Sequence, residues 1–340
     1  MKKADRFKKI IRIIAFLSIL AVGYLLLNKK FCFHDNSIFS GDARVEAFRE
    51  LPQDSVEILL LGSSHVMSGI NPAVFWDEEQ IPSYNLATRA QTFPFTYLLL
   101  KEAFKTQHPK VVVIDAFSVT EDNAVYGLAN TDEHFSMNMD LVPLSLEKIN
   151  LIQEYVPYEK RAYCMSSLLT FHSRWNKVFR QQSAKDSIYM GFCFAEREEG
   201  VTCSLEMHDI PEQVKSSQIP EVDLEYYHKI VELCEEEGVT PVFIKTPIVA
   251  RNQVSYEKLQ AFSQLLETEG VPFFNYADPK KNREFPYEEY MRDNYHMNSK
   301  GANAITGMLL EDLRENNLLT DTKNTEYAVI WDANSEKIKE

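Results

Sequence analysis

The stretch Val56–His65 reads VEILLLGSSH, a short, largely apolar run followed by a glycine, two serines and a histidine. An apolar run of this length that ends at a glycine is typical of a buried strand leading into a turn. Two similar runs follow, VVVI at Val111–Ile114 and PVFIK at Pro241–Lys245. Strands without polar alternation belong to sheets covered on both faces, so Val56–Leu61 is predicted to be the first strand of a parallel sheet.

Helical segments alternate with these runs along the chain. Two further strands are predicted, at Ser83–Leu86 and Pro272–Asn275, and four helices, at Thr92–Gln107, 222–237, 254–268 and Lys300–Glu315. This alternation predicts βαβ units, and hence an α/β fold with a three-layer, mainly parallel sheet. Tyr327–Trp331 (YAVIW) is a candidate edge strand within an otherwise polar tail, residues 321–340.

Charge is distributed unevenly over the 340 residues. The chain has 36 basic and 50 acidic side chains, a net charge of −14, but residues 1–30 hold eight Lys/Arg and one acid. The remainder therefore carries 28 basic and 49 acidic side chains, a net charge of −21. A protein with this much negative charge repels the phosphate backbones of DNA and RNA, so no nucleic-acid partner is predicted.

The N-terminal segment has the composition of a membrane span. Ile13–Leu27 is uncharged, and its extension to Ile10 gives 18 residues, about 27 Å of helix, which is sufficient to cross a hydrocarbon core. Six basic residues precede Ile13 and two follow Leu27, a bias that keeps the N-terminus in the cytoplasm. No small-residue cleavage site follows Leu27, which disfavours a cleaved signal peptide. The sequence predicts a single-pass cell-membrane protein with an extracytoplasmic domain.

The chain divides into four parts on this reasoning. Residues 1–30 form the cytoplasmic N-terminus and the anchor, 31–54 a polar stalk, 55–320 the α/β domain and 321–340 the tail. The domain contains an aromatic insertion without clear periodicity, at about 118–220, which we expect to pass over the sheet edge. Trp76 and Trp175 are expected to pack in the interior, and Lys245 is expected to be a solvated turn residue.

Two segments carry candidate chemistry, because ligands in open parallel sheets bind beyond the carboxyl ends of the strands. Gly62-Ser63-Ser64-His65 follows the first strand, and Arg292–Asn298 (RDNYHMN) precedes the last helix. A nucleophilic serine needs a base, and a histidine base needs an acceptor that fixes its tautomer. Asp293 and His296 are close enough for such a pair. Taken separately, the two segments are typical of a polar turn and a helix cap; together they predict serine chemistry.

These two segments resemble the conserved blocks of the SGNH/GDSL hydrolase superfamily. Its first block, Gly-Asp-Ser after strand one, matches Gly62-Ser63-Ser64, and its last block, Asp-x-x-His before the closing helix, matches Asp293–His296. The resemblance implies a flavodoxin-like fold with Ser64 as nucleophile, His296 as general base and Asp293 as the acid that orients it. No histidine or cysteine spacing suggests a metal site, so no metal or other cofactor is predicted.

The remaining blocks of the superfamily are altered or missing. Where the second block offers a glycine N–H to the oxyanion hole, this chain reads Asn85-Leu86-Ala87, so Ala87 is the candidate donor. The third block, Gly-x-Asn-Asp, is missing after Val111–Ile114, which leaves one oxyanion donor unassigned. Arg89, Arg174 and Asn123 are the candidates for that role or for substrate binding.

The GSSH sequence, together with a plain strand where the third block is missing, makes the chain similar to membrane-anchored SGNH proteins of bacterial envelopes. This resemblance implies a serine-dependent acyl esterase or O-acyltransferase acting on a cell-envelope polysaccharide or related polymer. The expected partners are the envelope glycan or acyl-ester substrate and a membrane protein that delivers acyl groups. The alternative is a non-catalytic SGNH-like module that binds glycan or assists assembly, which the missing third block favours.

Overall fold

Five parallel strands form one sheet in the order β2-β1-β3-β4-β5. The computed structural model describes residues 2–31, 41–120, 133–175, 190–194, 219–249, 253–278, 285–319 and 326–339. The strands are β1 (Ile58–Leu61), β2 (Ser83–Asn85), β3 (Val111–Asp115), β4 (Thr240–Lys245) and β5 (Phe273–Asn275). In the centre, Leu60 pairs with Asn85 on one side and with Val113 on the other. The predicted α/β class is confirmed, with the strand order of a flavodoxin-like sheet.

Fifteen helices accompany the sheet in the described residues. They are α1 (Lys2–Lys30), α2 (Gly41–Arg49), α3 (Ser64–Met67), α4 (Pro72–Glu79), α5 (Phe93–Ala103), α6 (Phe117–Thr120), α7 (Glu133–Leu141), α8 (Leu146–Tyr155), α9 (Arg161–Met165), α10 (Ser167–Phe171), α11 (Glu221–Glu236), α12 (Gln253–Glu269), α13 (Tyr287–Tyr290), α14 (Ser299–Glu315) and α15 (Ala328–Lys339). Short 3-10 turns lie at Tyr158–Lys160 and His172–Arg174.

The two faces of β1 belong to two different hydrophobic cores. Leu59 and Leu61 pack in one core with side chains of α5, α11 and α12. Ile58 and Leu60 pack in the other with side chains of α4 and α14. Successive strand residues point to opposite faces, so burial on both sides favours apolar residues at every position, as in β1. Burial of each such apolar side chain contributes about 1.5–3 kcal/mol to the stability of the folded state.

The segment expected to be a stalk is part of the domain from residue 41 onward. Residues 41–49 form helix α2, whose Val45 and Phe48 are buried in the first core. The buried Arg44 donates from Nη1 to the carbonyl of Gly191 and accepts, at its own carbonyl, a hydrogen bond from the Tyr84 hydroxyl. The prediction was wrong because two apolar residues three apart are enough to dock a short helix.

The predicted tail is also part of the fold, and its candidate edge strand is a helix. Trp331 of α15 is buried against Trp76 of α4, with ring centroids 6.5 Å apart. The Trp76 indole donates to Asp332 Oδ1 over 2.9 Å. The β-branched and aromatic run YAVIW favoured a strand locally, but packing against α4 overrides that preference.

In the part of the chain that the structure describes, helices and a short segment of the insertion contact the domain. Helices α7 and α8 pack against α5, and α7 also packs against α2. Residues 190–194 lie against the outer strand: Asn85 N–H donates to the Met190 carbonyl over 2.9 Å, and Cys193 N–H donates to the Met67 carbonyl over 3.1 Å. Gly191 has φ +80°, and a Cβ there would lie 2.0 Å from the Asn85 carbonyl oxygen. Only glycine permits this close approach.

Helix α1 is long and apolar enough to cross a membrane. Its apolar side chains are exposed throughout the window Asp5–Lys30. A soluble domain rarely exposes so large a continuous apolar surface.

Candidate active site

The turn after β1 places its two serines in different environments, with Ser63 buried and Ser64 partly exposed. Gly62 has φ +145°, and a Cβ there would lie 2.4 Å from the Asp115 Cβ, so glycine brings the turn close to β3. Ser63 is buried, donates from Oγ to Asp115 Oδ2 over 2.6 Å and accepts from the His65 N–H. It thereby caps α3. Ser64, the first residue of that helix, is only partly buried.

The loop before α14 holds Asp293 and His296 in a tight turn. Met291 and Met297 form an antiparallel bridge, and Arg292 N–H donates to the His296 carbonyl over 2.8 Å. Asn298, rather than Asp293, caps α14 by accepting from the Gly301 N–H. The carboxylate of Asp293 is therefore available to the histidine.

The structure brings Ser64, His296 and Asp293 together. Ser64 Oγ lies 2.9 Å from His296 Nε2. On the other side of the ring, His296 Nδ1 lies 3.0 Å from both carboxylate oxygens of Asp293. The side chains of His296 and Asp293 are 29% and 33% exposed, so solvent-borne molecules can reach them. This is the geometry of a nucleophile, a base and an orienting acid.

Electrostatics keep Asp293 ionised. Burial alone would raise the pKa of its carboxyl, but hydrogen bonds from the Tyr295 and His296 N–H groups, together with the adjacent His296 ring, hold the pKa below its usual value. An ionised carboxylate can only accept hydrogen bonds. The His296 proton therefore sits on Nδ1, and Nε2 is left to accept from the Ser64 hydroxyl.

The candidate oxyanion donor Ala87 is engaged elsewhere. Its N–H donates to Asn85 Oδ1 over 3.1 Å. The amide of Asn85 in turn donates to the carbonyls of Val66 and Ile70, which holds the segment after β1 against β2. The expectation that Ala87 supplies an oxyanion donor is not supported by this geometry, because an Asn side chain already takes that N–H. Among the described residues, the Ser64 N–H has no hydrogen-bond acceptor.

The remaining candidates are placed as follows. Arg89 is exposed, and its carbonyl accepts from Asn138 Nδ2 over 2.9 Å. Arg174 ends the second 3-10 turn, whose preceding helix, α10, contacts α1. Asn123 lies outside the described residues. A role in substrate or oxyanion binding stays a prediction for all three.

A buried cluster of Lys245, His65 and Asp115 lies next to His296 and was missed by sequence reasoning. Lys245 is 1% exposed, not solvated as expected; its Nζ lies 3.2 Å from His65 Nδ1 and 3.8 Å from Asp115 Oδ1. The His65 ring contacts the His296 ring edge-on, with centroids 5.4 Å apart. Burial, followed by the charges of Lys245 and His296, holds the pKa of His65 well below its usual value. The buried His65 imidazole thus lies between the Lys245 ammonium group and the His296 ring.

The architecture and the site together define a flavodoxin-like α/β protein with a Ser-His-Asp constellation at the carboxyl edge of its sheet, the arrangement that the SGNH/GDSL resemblance implies.

No family model and no curated protein matches the chain. Among solved structures, it is similar to a protein described as a "putative acylhydrolase" from Bacteroides fragilis (12% identity, 81% of this chain and 95% of that one, TM-score 0.42). It is also similar to a GDSL-like lipase from Bacteroides thetaiotaomicron (11% identity, 82% and 99%, TM-score 0.41). Similarity this weak does not assign a function.

Proposed function

We propose that this protein is a membrane-anchored, serine-dependent acyl esterase or O-acyltransferase that acts on a cell-envelope polysaccharide or related polymer. One observation carries the catalytic part: Ser64 Oγ, His296 Nε2 and the Asp293 carboxylate form a continuous chain of contacts of 2.9 and 3.0 Å. A non-catalytic module would have no need to hold a partly exposed serine against an oriented imidazole.

The proposed reaction begins with attack of Ser64 Oγ on an ester carbonyl. His296 Nε2 accepts the hydroxyl proton and then donates it to the departing alcohol, which leaves an acyl group on Ser64. Water or a polymer hydroxyl, deprotonated by His296, attacks the acyl-enzyme and releases Ser64. The Ser64 N–H and Arg89 are our candidates for stabilising the oxyanion. Hydrolysis and transfer differ only in which hydroxyl reaches the acyl-enzyme.

Labelling with a fluorophosphonate probe tests the catalytic proposal. The full chain is expected to become labelled, and Ser64→Ala and His296→Ala are each expected to abolish labelling, because the probe reacts only with an activated serine. Ser173→Ala, which removes an exposed serine, is the matched control and should label like the wild type. If the wild-type chain does not label, or Ser64→Ala still labels, the catalytic proposal is wrong and the non-catalytic module is favoured.

Helix α1 and its flanking charges support a location of the domain outside the cytoplasm. Six basic residues before the apolar run keep the N-terminus inside, so the domain is proposed to face the envelope polymer. An anchored enzyme meets an immobile polymer, and a membrane protein that delivers acyl groups would be its partner in the transferase reaction.

A reporter fused after Glu340 tests this topology. Alkaline phosphatase, which folds only outside the cytoplasm, should be active, and a fluorescent protein that matures only inside should be dark. Deletion of residues 1–30 is the control and should reverse both signals. A fluorescent, phosphatase-inactive full-length fusion would contradict the extracytoplasmic proposal.

A further inference from the structure

The segment from residue 158 to residue 175 contains four exposed aromatic and aliphatic side chains. Tyr158 and Trp175 are 83% and 66% exposed, and Tyr163 and Leu169 are also exposed. These four side chains are called the docking face below. The exposure of Trp175 contradicts the expectation that it packs in the interior. The other two tryptophans, Trp76 and Trp331, are buried.

The docking face is attached to the end of the apolar helix. Asn28 follows the last residue of the uncharged run. Its side-chain Oδ1 accepts hydrogen bonds from Ser166 Oγ over 2.9 Å and from the Leu168 N–H over 3.1 Å. Phe31, directly after α1, is buried. The beginning of α10 is therefore held at the point where a spanning α1 would leave the hydrocarbon core.

Helices α9 and α10 pack against each other, and α10 packs against the second 3-10 turn. Tyr163, Leu169 and Trp175 therefore lie on successive elements, next to the attachment of Ser166 and Leu168 to Asn28. Tyr and Trp combine an apolar ring with a polar atom, which is why they concentrate at the boundary between headgroups and acyl chains.

The charge of this region is opposite to that of the rest of the body. Residues 158–175 contain three basic side chains (Lys160, Arg161 and Arg174) and one acid (Glu159), and Lys29 and Lys30 close α1. The chain after residue 30 has a net charge of −21. This local excess of basic residues in an acidic chain is complementary to anionic phospholipid headgroups, each basic residue contributing about 1 kcal/mol near such a surface.

We propose that the docking face lies in the headgroup region of the same bilayer that α1 spans, and that anionic phospholipid is its ligand. This inference rests on the proposed membrane anchoring. Tethering through α1 keeps the face beside the surface at a high effective concentration, so weak lipid contacts suffice. Lipid docking at a second point prevents the domain from rotating freely about α1 and gives the active site a fixed orientation to the membrane.

Fluorescence quenching of Trp175 tests the proposal on the full chain in nanodiscs. The discs contain phosphatidylglycerol and phosphatidylcholine, with acyl chains either unmodified or brominated near the headgroup end. The difference between the wild-type and Trp175→Phe spectra isolates the emission of Trp175. We expect brominated lipid to quench this emission, aqueous acrylamide to quench it only weakly, and the emission maximum to lie at a shorter wavelength than in water.

Three other results overturn the proposal. Trp175 emission that acrylamide quenches and brominated lipid does not would mean that the face is in water. Emission protected from both quenchers would mean that protein covers it. A chain that does not co-elute with the discs would overturn both the proposed membrane anchor and the proposed lipid docking. A chain that co-elutes but whose Trp175 emission is not quenched by brominated lipid would overturn the lipid docking alone. Fluorophosphonate labelling of Ser64 reports separately on the catalytic proposal.

Discussion

Replacement of Asp293 by asparagine is expected to lower the turnover of an aryl ester by up to about 10⁴-fold, with the fold preserved. The amide oxygen can still accept from the Tyr295 and His296 N–H groups, so the loop keeps its shape. The amide NH₂, however, would face His296 Nδ1 and donate to it. The ring proton would move to Nε2, which could then no longer accept from the Ser64 hydroxyl.

The measurement is kcat for aryl acetate hydrolysis by the full-length chain, with circular dichroism to verify folding. Glu289→Gln is the matched control, because Glu289 is an exposed carboxylate in α13, just before the Asp293 loop, and its side chain pairs with Lys300. It should retain near-wild-type kcat. Near-full activity of the Asp293→Asn variant would mean that His296 is oriented without Asp293.

Replacement of Lys245 by methionine is expected to cost about 3–5 kcal/mol of unfolding free energy. Lys245 and Asp115 are both almost completely buried, with Nζ 3.8 Å from Oδ1, and this oxygen has no hydrogen-bond partner. Removing the ammonium group leaves a buried carboxylate without its compensating charge. Urea unfolding of the detergent-solubilised chain, followed by the fluorescence of the buried tryptophans, measures the loss.

Two further variants sharpen this test. Lys245→Met combined with Asp115→Asn removes both charges and should recover much of the lost stability, because neighbouring substitutions in one pair are not additive. Lys110→Met breaks an exposed pair with Glu57 and should cost at most about 1 kcal/mol. If Lys245→Met costs no more than Lys110→Met, the buried pair does not stabilise the fold.

Local patterns in the sequence were sufficient for the elements that position the site. Burial on both faces favours apolar residues at every position of a strand, and the run ending at Leu61 has this pattern. The amphipathic helix predicted at Lys300–Glu315 begins one residue earlier, at Ser299. Asp293 and His296 are three residues apart, so a single turn brings them into contact. Periodicity and short-range spacing carry this information because they depend only on neighbours in the chain.

Side-chain environments were decided by the tertiary structure alone. Ser64 and His296 are 232 residues apart in sequence, and only the parallel order of the strands brings them together. The burial of Lys245 depends on Asp115 in the adjacent strand, and that of Trp331 on Trp76 in α4. Conversely, Trp175 is exposed because no described segment covers it, although its residue type favours burial. Burial depends on which distant segments approach a residue, and the identity of that residue and its neighbours does not specify those segments.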